Sequence, residues 1–226
     1  MADRLHAITV MIIGKQPDAV FLQELRPPMF DYLNHALADA GYITPCSAPK
    51  VYGEAIFLKC LPMLKYTQVP FAHSNMRRSL HVVETKLGST PVVLATSHLE
   101  SRRENKVERL RQLQWSFDHL AGTTRPWIFG GDMNLGAKDD VTMRDGLVDA
   151  WEATGAVAAH RYTWDTSINK NLASTFTAKC RFDRIFCHGF DPTSFVTCGK
   201  ERLPGSTLFP SDHWGILSTF SLKEKS

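Results

Sequence analysis

Paired cysteines, long apolar runs and a strong charge imbalance are all missing from this sequence of 226 residues. The five cysteines form no C-x-x-C pair and are odd in number, which disfavours a disulfide framework and a zinc site. They fit reduced thiols in an intracellular protein better. No apolar run approaches the roughly 18 residues that a membrane-spanning helix needs. The formal net charge of +3 favours an anionic partner only weakly.

Several well-known signatures are also absent. The first twenty residues are interrupted by Asp3, Arg4 and His6 and lack the charged, apolar, then small order of a secretory signal, so they predict an amphipathic helix. There is no Walker loop, no G-x-S-x-G and no H-E-x-x-H, which disfavours P-loop, hydrolase-elbow and zinc-protease chemistry. The length and the 43% hydrophobic content predict a single domain over residues 1–226.

What the sequence does contain is a recurring short apolar run that ends in a polar cluster. The runs cover residues 18–25, 90–101, 126–135, 181–188 and 211–220. Such runs predict strands that are buried on both faces. Helices are predicted before the first run and over residues 102–122, and their alternation with strands predicts a layered α/β domain. Residues 51–71 predict a hairpin and hence a mixed sheet.

The polar clusters are predicted to lie at the carboxyl ends of the strands, where α/β folds gather their ligands. They are Glu24, His98, Asp132 with Asn134, Asp183, and Asp212 with His213. Each has a structural alternative: a helix-start carboxylate, a structural histidine, a plain turn, an ion pair with Arg184, or a capped turn. Their joint occurrence favours a site of oxygen donors for a hard ion such as Mg²⁺, with imidazoles suited to a phosphoryl oxygen.

These motifs resemble those of a known superfamily. QEL (23–25), SHLE (97–100), GDMN (131–134), FDRIF (182–186) and SDHWG (211–215) resemble the ordered motifs of the exonuclease–endonuclease–phosphatase, or DNase I-like, superfamily. Within it, TSHLES (96–101), YTWDT (162–166), RFDRIF (181–186) and FPSDHWGIL (209–217) resemble the tyrosyl-DNA phosphodiesterase 2 family. The resemblance implies a four-layer α/β sandwich in which two mixed sheets are flanked by helices.

The resemblance also implies a function. It predicts a Mg²⁺-dependent phosphodiesterase, with Mn²⁺ as a substitute ion, that hydrolyses 5′-tyrosyl-DNA phosphodiester bonds at trapped topoisomerase ends. Its partner would be a DNA 5′ end that is single-stranded at the terminus, with RNA as a second substrate. We expect a monomer without a membrane association, located in the nucleus and also in the cytoplasm.

The resemblance assigns roles residue by residue. Glu24 is predicted to be the principal metal ligand. Asp132 is predicted to orient or deprotonate the attacking water, with Asn134 holding the phosphate beside it. His98 and Ser101 would contact phosphate oxygens from the opposite side.

The remaining predicted residues stabilise charge or bind the base. His213 would stabilise charge at the phosphorus centre, with Asp183 fixing its imidazole and Asp212 in the outer coordination sphere. An apolar wall for the terminal base is predicted from Trp164, Leu172 and Phe182. The alternative is that Trp164 and Phe182 are ordinary core aromatics.

The sequence departs from the family at its start. Family members begin with a strand carrying a W-N-like motif whose asparagine helps to position the metal. This sequence opens on the predicted helix, and no Asn precedes Glu24. A chain that lacks this N-terminal strand is expected to use Mg²⁺ less well, to have impaired activity and to be less stable.

Other functions fit the shared motifs. An AP endonuclease or general nuclease would cleave duplex DNA at abasic sites, and the YTWDT motif disfavours it. Inositol-phosphate phosphatases and sphingomyelinases would need a highly basic pocket or a membrane-binding hairpin, and the sequence indicates neither. A catalytically impaired nucleic-acid-binding protein is favoured by the missing asparagine and disfavoured by the intact Glu24, Asp132 and His213.

Overall fold

The computed structural model describes residues 2–136, 138–139, 141–173 and 175–224. The α-helices within these ranges are α1 (Ala2–Lys15), α2 (Pro27–Ala38), α3 (Lys106–Ala121) and α4 (Ala150–Ala153), and a 3-10 turn covers Ala158–His160. None of the helices in the described ranges has both the length and the apolar character that crossing a membrane requires.

The strands form two principal sheets and two ribbons. The smaller sheet contains β1 (Ala19–Leu25), β2 (Tyr42–Ile43) and β3 (Gly53–Lys59) in the order β1-β3-β2. The larger sheet contains β4 (Lys65–Pro70), β5 (Ser79–Leu87), β6 (Thr90–His98), β7 (Trp127–Asp132), β8 (Val148–Asp149) and β11 (Asp183–His188). The ribbons pair β9 (Trp164–Asp165) with β10 (Lys179–Cys180), and β12 (Phe190–Cys198) with β13 (Gly215–Leu222).

The larger sheet is mixed, as the sequence predicts. Its strand order is β4-β5-β6-β7-β11-β8, and β6 and β7 run parallel while the other pairs run antiparallel. The smaller sheet and the ribbons are antiparallel in all their described pairings. The expectation of two mixed sheets is therefore wrong for the smaller sheet, because its central strand β3 runs opposite to both β1 and β2.

Two hydrophobic cores stack the elements into four layers. The first core joins α1 and α2 to β3 through Leu5, Leu33 and Ile56, and it continues to the larger sheet at Leu94. The second joins the opposite face of that sheet to α3, with Phe117 at its centre. The order α1/α2, smaller sheet, larger sheet, α3 is the predicted four-layer α/β sandwich.

Helix α2 was not predicted from the sequence. Its first residues are Pro27 and Pro28, which suggest a helix breaker. Proline is tolerated in the first turn of a helix, where its missing N–H would have no intrahelical partner. The buried residues Phe30, Leu33 and Leu37 then follow at helical spacing and pack into the first core.

The predicted hairpin over residues 51–71 is wrong. Its halves are β3 and β4, which belong to different sheets. Five consecutive residues of β3 are buried, so this strand lies at the centre of the smaller sheet, whereas β4 is an edge strand with a mostly exposed pattern. The intervening segment around Pro62 carries the chain from one sheet to the other instead of turning it back.

Burial on both faces is also wrong for β1 and β13, which are only partly buried along their length. A cavity of about 520 Å³ separates the two strands, and its lining includes Phe21, Ile185, Leu217 and Phe220. In the described part of the chain, β1 pairs only with β3 and β13 only with β12. Each therefore has one edge that faces the cavity.

Phe117→Ala tests the second core. The Phe117 ring is 1% exposed and packs against Trp127, Phe129 and Phe186. We expect its removal to lower the free energy of unfolding by about 3–5 kcal/mol, measured by urea denaturation, because the cavity left cannot close fully. Val107→Ala on the same helix is the control, since Val107 is exposed and should change stability by less than about 0.5 kcal/mol. Equal losses in both variants would contradict this description of the core.

Candidate active site

The predicted site residues converge at one edge of the larger sheet. Strands β6 and β7 are parallel, so His98 and Asp132 end side by side in register. Asp183 lies directly opposite Asp132, because β11 runs antiparallel to β7. Asp183 therefore stands at the amino end of β11, and not at a carboxyl end as predicted. His213 precedes β13 of the ribbon and reaches the site through its hydrogen bond with Asp183. In an antiparallel strand the amino end reaches the same edge as its neighbours' carboxyl ends, so the convergence is preserved.

Glycine at position 131 is required for this convergence. A Cβ atom there would lie 2.1 Å from the carbonyl oxygen of Ser97 on β6. Gly130 and Gly131 are strand residues of β7, so the alternative of a plain turn before Asp132 is wrong. Gly131 allows β6 and β7 to approach closely just before their functional side chains, while Gly130 leaves room for Phe21 of β1 and Ile185 of β11.

Glu24 reaches the site from the smaller sheet through an irregularity in β1. The β1–β3 ladder shifts register between Leu22 and Leu25, and Glu24 has a φ angle of +63° in the left-handed region. A bulge of this kind re-aims a side chain at the cost of local strain. The Glu24 side chain remains 59% exposed, while its Oε1 atom accepts a hydrogen bond of 2.5 Å from the Tyr52 hydroxyl.

His98 is buried between four of the site residues. Its Nδ1 atom lies 3.2 Å from the Tyr52 hydroxyl, and its Nε2 atom lies 3.2 Å from Nη2 of Arg78 and 3.3 Å from Oδ2 of Asp132. Tyr52 donates its proton to Glu24 and Arg78 can only donate, so these partners assign a neutral ring with the proton on Nδ1. Burial lowers the pKa of His98, and the Arg78 charge adds to this effect.

Asp132 is buried with a carboxylate as its neighbour. Burial and the nearby Asp183 together raise the pKa of Asp132 above its usual range. Its Oδ1 atom accepts a hydrogen bond of 2.9 Å from the backbone N–H of Asn134, and the Asn134 side-chain amide donates to the Leu99 carbonyl. A carboxylate with raised pKa is a stronger base, which suits the acceptance of a proton from water.

His213 is paired with Asp183. Its Nδ1 atom donates to Oδ2 of Asp183 over 2.7 Å. Burial works against the charged ring, but the neighbouring carboxylate of Asp183 outweighs it and raises the pKa of His213 to about 10. The imidazole is therefore positively charged at neutral pH, with Asp132 and Asp212 adding negative charge nearby. Asp183 pairs with this ring, whereas Arg184 lies 3.6 Å from Asp149 instead.

The other predicted residues lie around this centre. Asp212 faces outward and forms an ion pair of 3.7 Å with Arg4 of α1. Ser101 accepts a long hydrogen bond of 3.4 Å from Arg78.

The Trp164 ring lies 5.4 Å from that of Phe182, which in turn lies 6.1 Å from the His213 ring, and all three are partly exposed. They are therefore not fully buried core aromatics. Leu172 is exposed in the connection between β9 and β10.

Two functional residues escaped the sequence analysis. Tyr52 orients Glu24, and Arg78 places a buried guanidinium beside His98. In the described part of the chain, the Nε atom of Arg78 has no hydrogen-bond partner. A buried guanidinium with an unpartnered N–H suits an anionic ligand. Tyr52 lies in the segment predicted as a hairpin, and Arg78 precedes β5, which none of the predicted runs covers. The adjacent basic pair Arg77–Arg78 was the signal available.

The acidic edge fits a metal ion. Asp132, Asp183 and His213 each offer a ligand atom, and these atoms lie within 4.8 Å of one another. His213 is engaged with Asp183, so the oxygen atoms of the carboxylates are the better ligands. Glu24 lies outside this cluster, on the other side of the His98 ring, with its Oε1 atom 3.9 Å from Nδ1 while Asp132 faces Nε2. Few carboxylates and an open, hydrated side are what a hard divalent cation takes.

Four packed layers with an acidic site at one sheet edge define an α/β sandwich of the DNase I-like class. The sequence profile described as the Endonuclease/Exonuclease/phosphatase family matches residues 1–213. The chain belongs to the Endonuclease/Exonuclease/phosphatase family. The family and the fold expected from the sequence are thereby confirmed.

Particular relatives are similar over nearly the whole chain. The 5'-tyrosyl-DNA phosphodiesterase of Caenorhabditis briggsae is 33% identical, over 98% of this chain and 65% of its own length. Tyrosyl-DNA phosphodiesterase 2 of Homo sapiens is 35% identical, over 98% of this chain and 64% of its own length. The chain thus spans less than two thirds of these curated relatives. A crystal structure of D. rerio TDP2 complexed with single strand DNA product superposes with a TM-score of 0.91 at 31% identity, covering 97% of this chain and 92% of that chain.

A titration of the metal-free protein tests the Asp183–His213 pair. We expect the pKa of the His213 ring to be about 10, and Asp183→Asn to move it toward the ordinary value of about 6.5. The pairing favours the protonated His213 ring. Its contribution to the free energy of unfolding is therefore fully present below pH about 6.5 and is lost as the pH rises through about 10. Imidazole chemical shifts in NMR measure the pKa. Asp191→Asn, on a distant exposed ribbon, is the control, and an unchanged His213 pKa in Asp183→Asn would refute the assignment.

Proposed function

We propose that this chain is a Mg²⁺-dependent phosphodiesterase that hydrolyses 5′-tyrosyl-DNA phosphodiester bonds. The observation that carries the proposal is the joint placement of Asp132 and the charged Asp183–His213 pair, with Glu24 on the other side of the His98 ring that contacts Asp132. The similarity to relatives named for this activity, and to a solved relative complexed with a single-stranded DNA product, supports the same substrate class.

Glu24 is the principal ligand in the proposed metal site, with Mg²⁺ as the resident ion and Mn²⁺ as a substitute. When bound, the ion supplies positive charge to the phosphoryl oxygens. Tyr52 prepares Glu24 for this role, because its hydroxyl holds one carboxylate oxygen in place. Asp212 lies further out and is oriented by Arg4, in keeping with a place in the outer coordination sphere.

The chain's own residues supply the proton acceptor, the positive charge and the phosphate-binding donor of the proposed reaction. Asp132, with its raised pKa, accepts a proton from the attacking water. His213 presents a positive charge to the phosphorus centre as negative charge develops there, and Asp183 keeps the ring protonated and oriented. The Asn134 amide has two N–H donors and gives one to Leu99, so the other is suited to a phosphate oxygen.

Arg78 completes the charge balance on the opposite side of the phosphate. The neutral His98 accepts from Arg78 and holds the guanidinium, so His98 acts through Arg78 and not as a proton donor. Ser101 lies beside the same guanidinium. A phenolate, with a pKa of about 10, departs more easily than an alkoxide, so this arrangement requires no strong acid at the leaving group.

An apolar wall beside His213 is suited to the terminal base. Trp164 and Phe182 present partly exposed rings next to the catalytic imidazole, and Leu172 projects from the adjoining loop. Aromatic surfaces of this kind bind unpaired bases without sequence preference. We therefore propose a 5′ end that is single-stranded at its terminus as the partner, with RNA ends as a second substrate for a monomeric enzyme. Work at DNA ends favours the nucleus, with the cytoplasm as a second compartment.

A 5′-phosphotyrosyl oligonucleotide tests the activity. In Mg²⁺ we expect release of the 5′-phosphate end, and EDTA should abolish it. Asp132→Asn should slow the release by roughly 10²–10⁴-fold, because the proton acceptor is lost. Glu24→Ala should give a comparable loss through the metal site. Asp31→Asn, on the exposed face of α2, is the control and should leave the rate unchanged.

The outcomes separate the competing functions. Release that persists in EDTA, or that survives both carboxylate variants, would refute the proposed site. Binding of the oligonucleotide without any release would identify a non-catalytic nucleic-acid-binding protein. Cleavage of a duplex at an abasic site, with the phosphotyrosyl bond left intact, would identify an AP endonuclease.

Trp164→Ala tests the apolar wall. Loss of a base-stacking ring should weaken binding by about 1–3 kcal/mol, seen as a raised KM with a smaller change in kcat. The control is Trp115→Ala, because Trp115 is also partly exposed but lies on α3 away from the site. A substrate with an abasic first nucleotide should be insensitive to Trp164→Ala. Equal sensitivity of both substrates would contradict stacking at this position.

A further inference from the structure

Glu100 ends the SHLE motif (97–100), and the proposed reaction gives it no role. It follows β6 and is 0% exposed, although its side chain is a carboxylate. A buried carboxylate is costly unless hydrogen-bond donors surround it. The donors that surround Glu100 therefore indicate what this residue does.

The Glu100 carboxylate is held by the connection between β4 and β5. Residues 71–78 form this connection, and we call it the Arg78 turn. Oε1 of Glu100 accepts hydrogen bonds from the backbone N–H groups of Asn75 over 2.7 Å and of Met76 over 3.0 Å. Oε2 accepts a hydrogen bond of 3.1 Å from the Ser74 hydroxyl. Three donors from one short segment fix that segment against the carboxylate.

The Ser74 hydroxyl joins this carboxylate to Arg78. Its oxygen accepts a hydrogen bond of 2.7 Å from the backbone N–H of Arg78, while its proton is donated to Glu100. At the other side of the same residue, the backbone N–H of Phe71 donates to the Arg78 carbonyl over 3.0 Å. The backbone of Arg78 is therefore held at both its N–H and its carbonyl group.

The Arg78 turn needs this support because its backbone is strained. Arg77 has a φ angle of +58°, in the left-handed region that a residue other than glycine adopts at a cost. Successive backbone N–H groups aimed at one oxygen form a concave site for an anion. Glu100 supplies that anion from within the chain, so it stabilises the strained turn directly before Arg78.

Helix α3 fixes Glu100 from the opposite side. The side-chain oxygen of Gln112 accepts a hydrogen bond of 2.9 Å from the backbone N–H of Glu100. Nη1 of Arg109 donates to the Glu100 carbonyl over 3.1 Å. Both side chains are buried. Glu100 therefore connects a packed helix with the turn that carries Arg78.

We propose that Glu100 is a positioning residue that acts through Ser74 and the Arg78 turn to hold the Arg78 guanidinium where it faces the phosphate. That guanidinium is 5% exposed, and its Nη2 atom lies 3.2 Å from Nε2 of His98. A long side chain keeps such a position only while its backbone is fixed. The inference rests on the proposed function, since the phosphate contact of Arg78 is part of it.

Substitutions of similar size separate the acceptor from the charge. Glu100→Gln keeps an oxygen for the two N–H groups of the turn, so we expect activity close to native. Glu100→Leu removes the acceptor and should lower kcat/KM on the phosphotyrosyl oligonucleotide by about 10²-fold, because Arg78 is displaced. Glu104→Leu, an exposed position in the same loop, is the control and should keep the native rate. Equal losses in Glu100→Gln and Glu100→Leu would overturn the proposal.

A double-mutant cycle distinguishes positioning from a general loss of structure. Arg78→Ala alone should lower kcat/KM by roughly 10²–10³-fold, because a charge that faces the phosphate is lost. Adding Glu100→Leu should then cause no further loss, since both changes remove the same contact. Multiplied losses would show that Glu100 acts elsewhere and would overturn the proposal. Ser74→Ala breaks the same connection and replaces Glu100→Leu in the cycle if thermal melting shows that variant to be unfolded.

Binding of a 5′-phosphorylated single-stranded oligonucleotide gives a readout without catalysis. Loss of one phosphate contact should make the dependence of log Kd on log salt concentration less steep by about 0.7, measured by calorimetry. Glu100→Leu and Arg78→Ala should show the same change, whereas Glu100→Gln should keep the native slope. A native slope in Glu100→Leu would overturn the proposal.

Amide hydrogen exchange separates this proposal from the proposed function. In Glu100→Leu we expect the amides of Asn75, Met76 and Arg78 to exchange faster than in the native chain. Unchanged exchange would overturn the anchoring of the turn by Glu100. Faster exchange in a chain whose native form neither cleaves nor binds the oligonucleotides would refute the proposed function and leave the anchoring supported.

Discussion

The antiparallel pairing of β7 with β11 is the constraint on which the site depends. It places Asp183 directly across from Asp132. Two carboxylates so close together repel each other. His213 stabilises the charge of Asp183, and the backbone N–H of Asn134 stabilises that of Asp132. The repulsion has a use, because it raises the pKa of the buried Asp132 while the imidazolium keeps its charge. One ladder pairing therefore creates both an improved base and a fixed cation.

The same alternation of charge extends away from the site in two directions. Outward, Asp212 is paired with Arg4, which ties α1 to the loop before β13. Inward, Arg78 faces Glu54, which faces His81. Arg78, Glu54 and His81, which are all buried, thus alternate in charge, as low-dielectric surroundings favour. A change of charge on one of these residues alters the electrostatic potential at its neighbour. The active site and the core between the sheets are therefore electrostatically connected.

Much of the site could be predicted because its residues end buried strands. His98 and Asp132 end the parallel strands β6 and β7, which brings them together, whereas Glu24 comes from β1 of the smaller sheet. Asp183 and His213 were found through the same pattern, although they stand at the opposite ends of their strands. The roles assigned by resemblance remain predictions, while the contacts that those roles require are present for Asp183 with His213 and for Asp132 with Asn134.

What could not be predicted lies in segments without periodicity or depends on distant packing. Tyr52 and Arg78 precede strands in irregular stretches, and only the meeting of two sheets makes them neighbours. The hairpin predicted over residues 51–71 is wrong for the same reason, because strands that are adjacent in sequence can belong to different sheets, as β3 and β4 do. Helix α2 was hidden by its two prolines, which are helix breakers in general but not in a first turn.

The bulge at Glu24 makes the orientation of this side chain depend on the number of residues in β1. Between Leu22 and Leu25 this strand holds one residue more than β3 does opposite it. Side chains alternate between the two faces of a strand, so the extra residue sets which face each later side chain occupies. Apolar residues of β1 can be exchanged for one another without moving Glu24. Deleting or inserting one residue before Glu24 would instead turn its side chain to the other face of the strand. The orientation of Glu24 therefore depends more on the number of residues in β1 than on which apolar residues β1 contains.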